Sequence, residues 1–164
     1  MKEFYYGFYN FSRKIVDNID FPIDVLVSSA YLWNGKKFKE PCLPKTTRRI
    51  FLDSGAYLFS QKYREYPFSN EEYLQFVRTF RPDLFSVLDY STSFGLSSDL
   101  CIQKTVENSI KIWDLLDKDL RNRLVLILQG KTPEDYIRCY DLLRDQGVSS
   151  DRLGIGSLSI RKHY

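Results

Sequence analysis

Histidine is nearly missing from this sequence, and its scarcity removes several chemistries at once. The only one is His163, next to the last of 164 residues, so neither a histidine-rich metal site nor a buried Ser-His-Asp triad is expected, and it is assigned no role. Cysteine is scarce too. Cys42, Cys101 and Cys139 are odd in number and far apart, with no C-x-x-C pair, which argues against a disulfide framework or a self-contained zinc site and predicts free thiols. Charge of one sign is also lacking: 24 basic against 21 acidic residues give +3, too weak a field to argue by itself for a polyanionic partner. No apolar run approaches the ~20 residues that span a bilayer, so no membrane partner is expected. Met1-Lys-Glu-Phe-Tyr5 lacks the apolar core of a signal peptide, and the expected location is cytoplasmic.

What the chain does have is aromatic residues, 12 Tyr and 12 Phe, within an ordinary 43% hydrophobic and 27% charged composition. That balance predicts a folded core rather than disorder, and the length suits one domain.

Five apolar runs read as strands. Ile23-Asp-Val-Leu-Val-Ser-Ser29 follows Pro22 and is short and rich in β-branched residues. The other four end in a polar or glycine signature: Arg49-Ile-Phe-Leu-Asp-Ser-Gly55, Leu84-Phe-Ser-Val-Leu-Asp-Tyr90, Leu124-Val-Leu-Ile-Leu-Gln-Gly130 and Arg152-Leu-Gly-Ile-Gly-Ser157. Helices separate the later runs. Ser69-Asn-Glu-Glu72 has the spacing of a capping box, followed by Tyr73, Leu74, Val77 and Phe80 at helical intervals, with Pro82 marking the end. A second helix begins near Asp99, with Val106, Ile110, Trp113 and Leu116 as its apolar stripe. The third has Thr132 as cap, Pro133 at the first position, Asp135 in the first turn and Gly147 at its end.

Strands alternating with helices predict an α/β fold with a parallel sheet. From Asp53 to Asp89 is 36 residues, from Asp89 to Gln129 is 40 and from Gln129 to Gly154 is 25. These bracket the roughly 31 residues per unit of an eight-fold (β/α) barrel. The expected architecture is therefore a partial TIM-type barrel of about five parallel strands with helical crossovers. Five strands leave an open edge on each side. Residues 1–164 are thus expected to be the N-terminal part of a longer barrel, or one half of a split protein.

In such a barrel the active site sits at the C-terminal ends of the strands, which places Asp53, Asp89, Gln129, Gly154 and Gly156 around one mouth. Asp53, leaving an apolar strand just before Gly55, suits acid/base work, and it equally suits capping of the turn. Asp89 is open to the same two readings, and two carboxylates at one mouth can be driven to different pKa values. Gln129 offers a donor and an acceptor to a flat heterocycle, with Gly130 making room, or the pair is a simple strand-to-helix turn. Gly154-Ile-Gly156 is too little of a fingerprint to predict a nucleotide cofactor. The polar segment from Trp33 to Thr47 is long for a plain connector and could cover a site. Around it, Lys36, Lys37, Lys39, Lys45, Arg48 and Arg49 with Trp33 and Phe38 could supply phosphate contacts and a stacking surface; a solvated basic loop is the plainer reading.

Taken in order, Phe51-Leu-Asp-Ser-Gly-Ala56, Val87-Leu-Asp-Tyr90, Leu128-Gln-Gly130 with Glu134-Asp-Tyr136, and Leu153-Gly-Ile-Gly-Ser157 with Arg161 resemble the queuine/archaeosine tRNA-guanine transglycosylase superfamily. The likeness is nearest to its deazapurine-in-DNA protein A branch, which is also similar at Phe4-Tyr-Tyr-Gly7 and Val25-Leu-Val-Ser28. The resemblance implies a (β/α) barrel that exchanges guanine in DNA or tRNA for a 7-deazaguanine through a covalent glycosyl-enzyme intermediate. It assigns proton transfer to Asp53, reading of the guanine-like edge to Asp89, and the base pocket to Gln129, Gly130, Gly154 and Gly156. Apart from the resemblance, the basic cluster itself gives Lys45, Arg48 and Arg49 a weaker nucleic-acid backbone role. The family's aspartate nucleophile and Cys/His zinc ligands lie on later segments that these residues do not include. No cofactor is therefore expected here, zinc belonging to a missing C-terminal part, and Ala56 stands where the tRNA enzymes commonly have glycine or serine. The expectation is a base-recognising portion, inactive alone, whose partners are guanine or 7-deazaguanine, DNA or tRNA, and a second chain completing the barrel. The rival is a non-catalytic base or nucleic-acid binding module. An unrelated barrel enzyme for a phosphorylated small molecule ranks last, its usual phosphate site falling near strands seven and eight.

Overall fold

Six strands succeed one another in chain order across a single sheet in a computed structural model that describes residues 5–8 and 16–158. They are β1 (Tyr6–Phe8), β2 (Ile23–Ser28), β3 (Thr47–Asp53), β4 (Leu84–Ser86), β5 (Leu124–Leu128) and β6 (Leu153–Ile155), and every neighbouring pair is parallel. The sheet curls into a half-barrel with helical crossovers. Among the described residues the helices are α1 (Ser29–Leu32), α2 (Ala56–Ser60), α3 (Asn70–Phe80), α4 (Ser98–Asp114), α5 (Lys118–Arg123) and α6 (Pro133–Asp145). Phe4, Arg161 and His163 fall outside the described residues.

The partial-barrel class holds, with six strands rather than five. The addition is Tyr6–Phe8, a three-residue strand too short to display periodicity in sequence. Among the described residues the open edges are accordingly β1 and β6. The run from Leu84 to Tyr90 is also shorter as a strand than its apolar character suggests. Its ladder ends at Ser86, Val87 still donates to the Val125 carbonyl at 3.2 Å, and the chain then leaves the sheet.

The three predicted helices form for the reasons their sequences give. Ser69 caps α3 in a reciprocal box: its hydroxyl accepts from Glu72 N–H at 3.2 Å, and Glu72 Oε2 accepts from Ser69 N–H at 2.8 Å. Thr132 caps α6 ahead of Pro133, and Gly147 turns the chain out at φ 72°. The helical faces of Tyr73, Leu74, Val77, Ile102, Ile112, Cys139 and Leu143 bury against Val25, Val27, Leu52, Phe85, Leu124 and Leu126 of the sheet's outer face. At roughly 1.5–3 kcal/mol per buried large side chain, this layer is the main source of stability.

Pairing register sorts the strand residues into two faces. Leu26 opposes Phe51, Ser28 opposes Asp53, Phe51 opposes Leu84, and Ile127 opposes Gly154, so these residues share the inner, concave face. Leu153 and Ile155 point to the outer side of β6, where they are 46% and 49% exposed. On β2 to β5 that side is covered by helices; here, among the described residues, it is not.

The segment after Trp33 does not cover the mouth. It doubles back so that Trp33 bridges Phe38, with Asn34 Oδ1 accepting from the N–H groups of Lys36 and Lys37 at 3.0 and 2.9 Å. Trp33 and Phe38 pack edge-on or tilted against each other and Phe68, and Phe38 stacks on Phe76, at centroid distances of 4.6–5.0 Å. These half-buried rings join an aromatic cluster that fastens the loop to α3, and with Lys36 and Lys37 they line a second cavity away from the strand ends. The same cluster continues through Phe59, Tyr66, Tyr90 and Phe94, which accounts for much of the aromatic richness.

Candidate active site

The strand ends deliver the site. Asp53 closes β3, and the chain turns at once through Gly55, whose φ of 75° is a left-handed conformation that a β-carbon resists. A β-carbon there would also meet Ala30 at 2.8 Å. The turn brings Gly55 N–H to Asp53 Oδ2 at 2.9 Å, so the capping role suggested by Asp-Ser-Gly is present. Yet the carboxyl is only half-buried and lines a cavity of about 450 Å³ at the strand C-termini. Desolvation pushes its pKa above the ordinary 3.8, against the opposing effect of Gly55 N–H and the neighbouring Ser28 hydroxyl.

Asp89 is the deeper carboxyl, 5% exposed. Having left the ladder, its segment is clamped from both sides. Tyr66 donates its hydroxyl to the Asp89 carbonyl at 2.7 Å, Asn108 Nδ2 donates to the Leu88 carbonyl at 2.9 Å, and Tyr90 N–H donates to Thr105 Oγ1 at 2.9 Å. These contacts replace the sheet's hydrogen bonds, as buried backbone requires. Both side-chain oxygens are engaged as well: Ser54 Oγ donates to Oδ1 at 2.5 Å, and Gln129 Nε2 donates to Oδ2. Burial pushes the Asp89 carboxyl up to about 6, helped by the nearby Asp53 charge and opposed by the Ser54 and Gln129 donors.

Gln129 is 1% exposed and does not line the cavity; it reaches the site through two residues that do, Asp89 and Ser157. Its Oε1 accepts from Ser157 Oγ at 2.6 Å. Gly130 faces α6 rather than the cavity, since a β-carbon there would lie 3.0 Å from the Tyr136 nitrogen and nearer still to the Asp135 side chain. Gly154 and Gly156 do line the cavity. A β-carbon on the first would meet Ile127 Cδ1 at 2.7 Å, and on the second the Gln129 carboxamide carbon at 2.7 Å. Gly156 is held by its N–H to the Leu128 carbonyl at 2.9 Å and by Tyr136, whose hydroxyl donates to its carbonyl at 2.8 Å.

Lys45, Arg48 and Arg49 are not brought to this mouth. They precede or begin β3, at the strand's opposite end, where Arg48 Nε and Arg49 Nη2 pair with the buried Asp24 at 3.2 and 2.6 Å. Arg49 also lies over the Tyr5 ring at 5.4 Å. The Arg49 hydrogen bond is the chief reason the Asp24 carboxyl is held below its usual range.

Three contributors carry no legible local signal: Ser54, Ser157 and Tyr66. Each acts on a partner 23 to 35 residues away, and only folding reveals the pairing. Phe51, Val125 and Ile127 give the cavity apolar walls, and the half-exposed Tyr57 stands beside them. Among the described residues no group of three or more His, Cys, Asp or Glu is placed to hold a metal ion. The arrangement can present hydrogen-bond acceptors to a flat ligand and can take up or release a proton near neutral pH. Fold and site together define a parallel α/β half-barrel with a paired-carboxylate cavity at its C-terminal mouth. No protein-family model matches the sequence, and no curated protein matches it.

Proposed function

We propose that the chain is the base-recognising portion of a transglycosylase-like protein that exchanges guanine in DNA or tRNA for a 7-deazaguanine. The observation that carries this reading is the Asp89 carboxyl, buried on the cavity floor between two donors, with the more accessible Asp53 beside it. An ionised carboxylate offers only acceptors, which match the ring N–H and exocyclic amine of a guanine-like edge, and each oxygen keeps further lone pairs after serving Ser54 or Gln129. Asp53, with its raised pKa and its place in the wall, suits proton exchange with the departing or arriving base. Gly154 and Gly156 place bare backbone in the β6 wall of the cavity, and the space their β-carbons would fill is taken by Ile127 and the Gln129 carboxamide.

Displacement at the sugar carbon needs a further carboxylate as nucleophile, because Asp53 and Asp89 each have another role. The chain alone therefore binds the base without exchanging it. A second portion, pairing with the open β6 edge and covering Leu153 and Ile155, would supply that group and the zinc site. The test is calorimetric titration of the purified chain with guanine and 7-deazaguanine. Asp89→Asn should weaken binding at least about tenfold with folding intact; unchanged affinity would sink the pocket assignment. Incorporation of labelled guanine into DNA or tRNA by the chain alone would overturn its inactivity. Binding that never leads to exchange, even with the complementing portion present, would favour a non-catalytic binding module.

A further inference from the structure

Ser157 is unusual in its backbone. At φ 64° it is one of two residues other than glycine with positive φ among those described, a conformation sparsely populated by serine. Glycine would adopt it freely, so the backbone alone gives no reason for a side chain here. The side chain has a specific use: Ser157 Oγ donates to Gln129 Oε1 at 2.6 Å, while Ser157 itself lines the cavity.

The consequence lies in the amide. A carboxamide presents oxygen on one side and nitrogen on the other, and which side faces Asp89 is not fixed by shape. With the Ser157 hydroxyl bound to Oε1, Nε2 must face Asp89 Oδ2, as it does. Gly156 keeps this contact tight, because the carboxamide lies where its β-carbon would be. The hydroxyl's single proton is committed to Gln129, so only lone pairs remain to face the cavity.

We propose that Ser157 is a specificity-determining residue of this cavity: its hydroxyl orients Gln129 as a donor to Asp89 and itself stands as a second acceptor, selecting ligand edges that carry N–H groups over edges that carry carbonyls. The ligand half of this assignment rests on the base-recognition reading; the amide-orientation half does not.

The experiment uses the full chain and two variants, Ser157→Gly, which suits the positive φ, and Ser157→Ala, which keeps the β-carbon without the hydroxyl. The first readout needs no ligand. Carboxyl-carbon NMR follows the titration of Asp89, whose midpoint should rise by about one pH unit in both variants as the Gln129 donor loses its fixed orientation. The second readout compares guanine with xanthine, in which a carbonyl replaces the exocyclic amine, and the preference for guanine should fall about tenfold. An unmoved Asp89 midpoint in both folded variants overturns the orienting role. A shifted midpoint with an undiminished preference for guanine overturns the selecting role. If the wild-type chain binds neither base, the base-recognition reading fails, the selecting role falls with it, and the midpoint alone decides the orienting role.

Discussion

Replacing Asp89 by asparagine should change how stability depends on pH, and the size of the change follows from the burial of the carboxyl. Its pKa stands at about 6 against an ordinary 3.8. The folded state thus holds this proton more tightly than the unfolded chain does. Protonation of Asp89 therefore favours folding: the contribution is complete below pH 3.8, declines as pH rises, and is gone above about 6. Two pKa units at about 1.4 kcal/mol each make it about 3 kcal/mol, a large part of the 5–15 kcal/mol that typically separates folded from unfolded domains. Asp89→Asn has no such titration. Its amide also places an N–H against Ser54 or Gln129, a penalty that does not vary with pH. The assay is urea unfolding, followed by tyrosine and tryptophan fluorescence, at intervals from about pH 3.5 to pH 7.5. The stability of the variant relative to wild type should rise by about 3 kcal/mol across that range. Asp53 is close enough to raise Asp89 by its charge, so the measured midpoint belongs to the pair. A difference that stays flat with pH would refute the argument, because it would mean that Asp89 ionises no less easily in the folded protein than in the unfolded chain.

Two further outcomes follow from separate parts of the molecule. Gly156→Ala should lower stability by about 1–3 kcal/mol, since the added β-carbon overlaps the Gln129 carboxamide, and it should weaken base binding with it; a wild-type urea midpoint would count against the close contact. Asp24 behaves oppositely to Asp89, because Arg49 and Arg48 hold its pKa below 3.8. Its stabilising effect is present above that value and is lost as pH falls through the lowered pKa. Asp24→Asn should therefore melt below wild type near neutral pH, with the gap closing on acidification, and a gap that widens in acid would contradict the ion-pair account.

Much of the fold was legible because its signals are local. The capping box at Ser69 and Glu72, the Thr132-Pro133 start of α6 and the β-branched run of β2 each bring their own backbone preference, and all three form where their residues predict. The sequence also determined that Asp53, Asp89, Gln129 and Gly156 stand at or just past strand ends, because parallel strands joined by helical crossovers all deliver their C-termini to one side. What it left open was each residue's use of that position. Asp53 was both a turn cap and a candidate acid, and the structure has it capping Gly55 while lining the cavity. Trp33 and Phe38 read as rings in a basic loop, and only the fold shows them packed half-buried against Phe68 and Phe76. Arg48 and Arg49 look like phosphate contacts, yet a buried Asp24 on the adjacent strand needs their charge. The links from Ser54 to Asp89, from Gln129 to Asp89 and from Ser157 to Gln129 were settled only by tertiary structure. Hydrogen bonds between side chains 28 to 40 residues apart leave no periodicity or spacing to read; they exist because the sheet curls and brings four loops together.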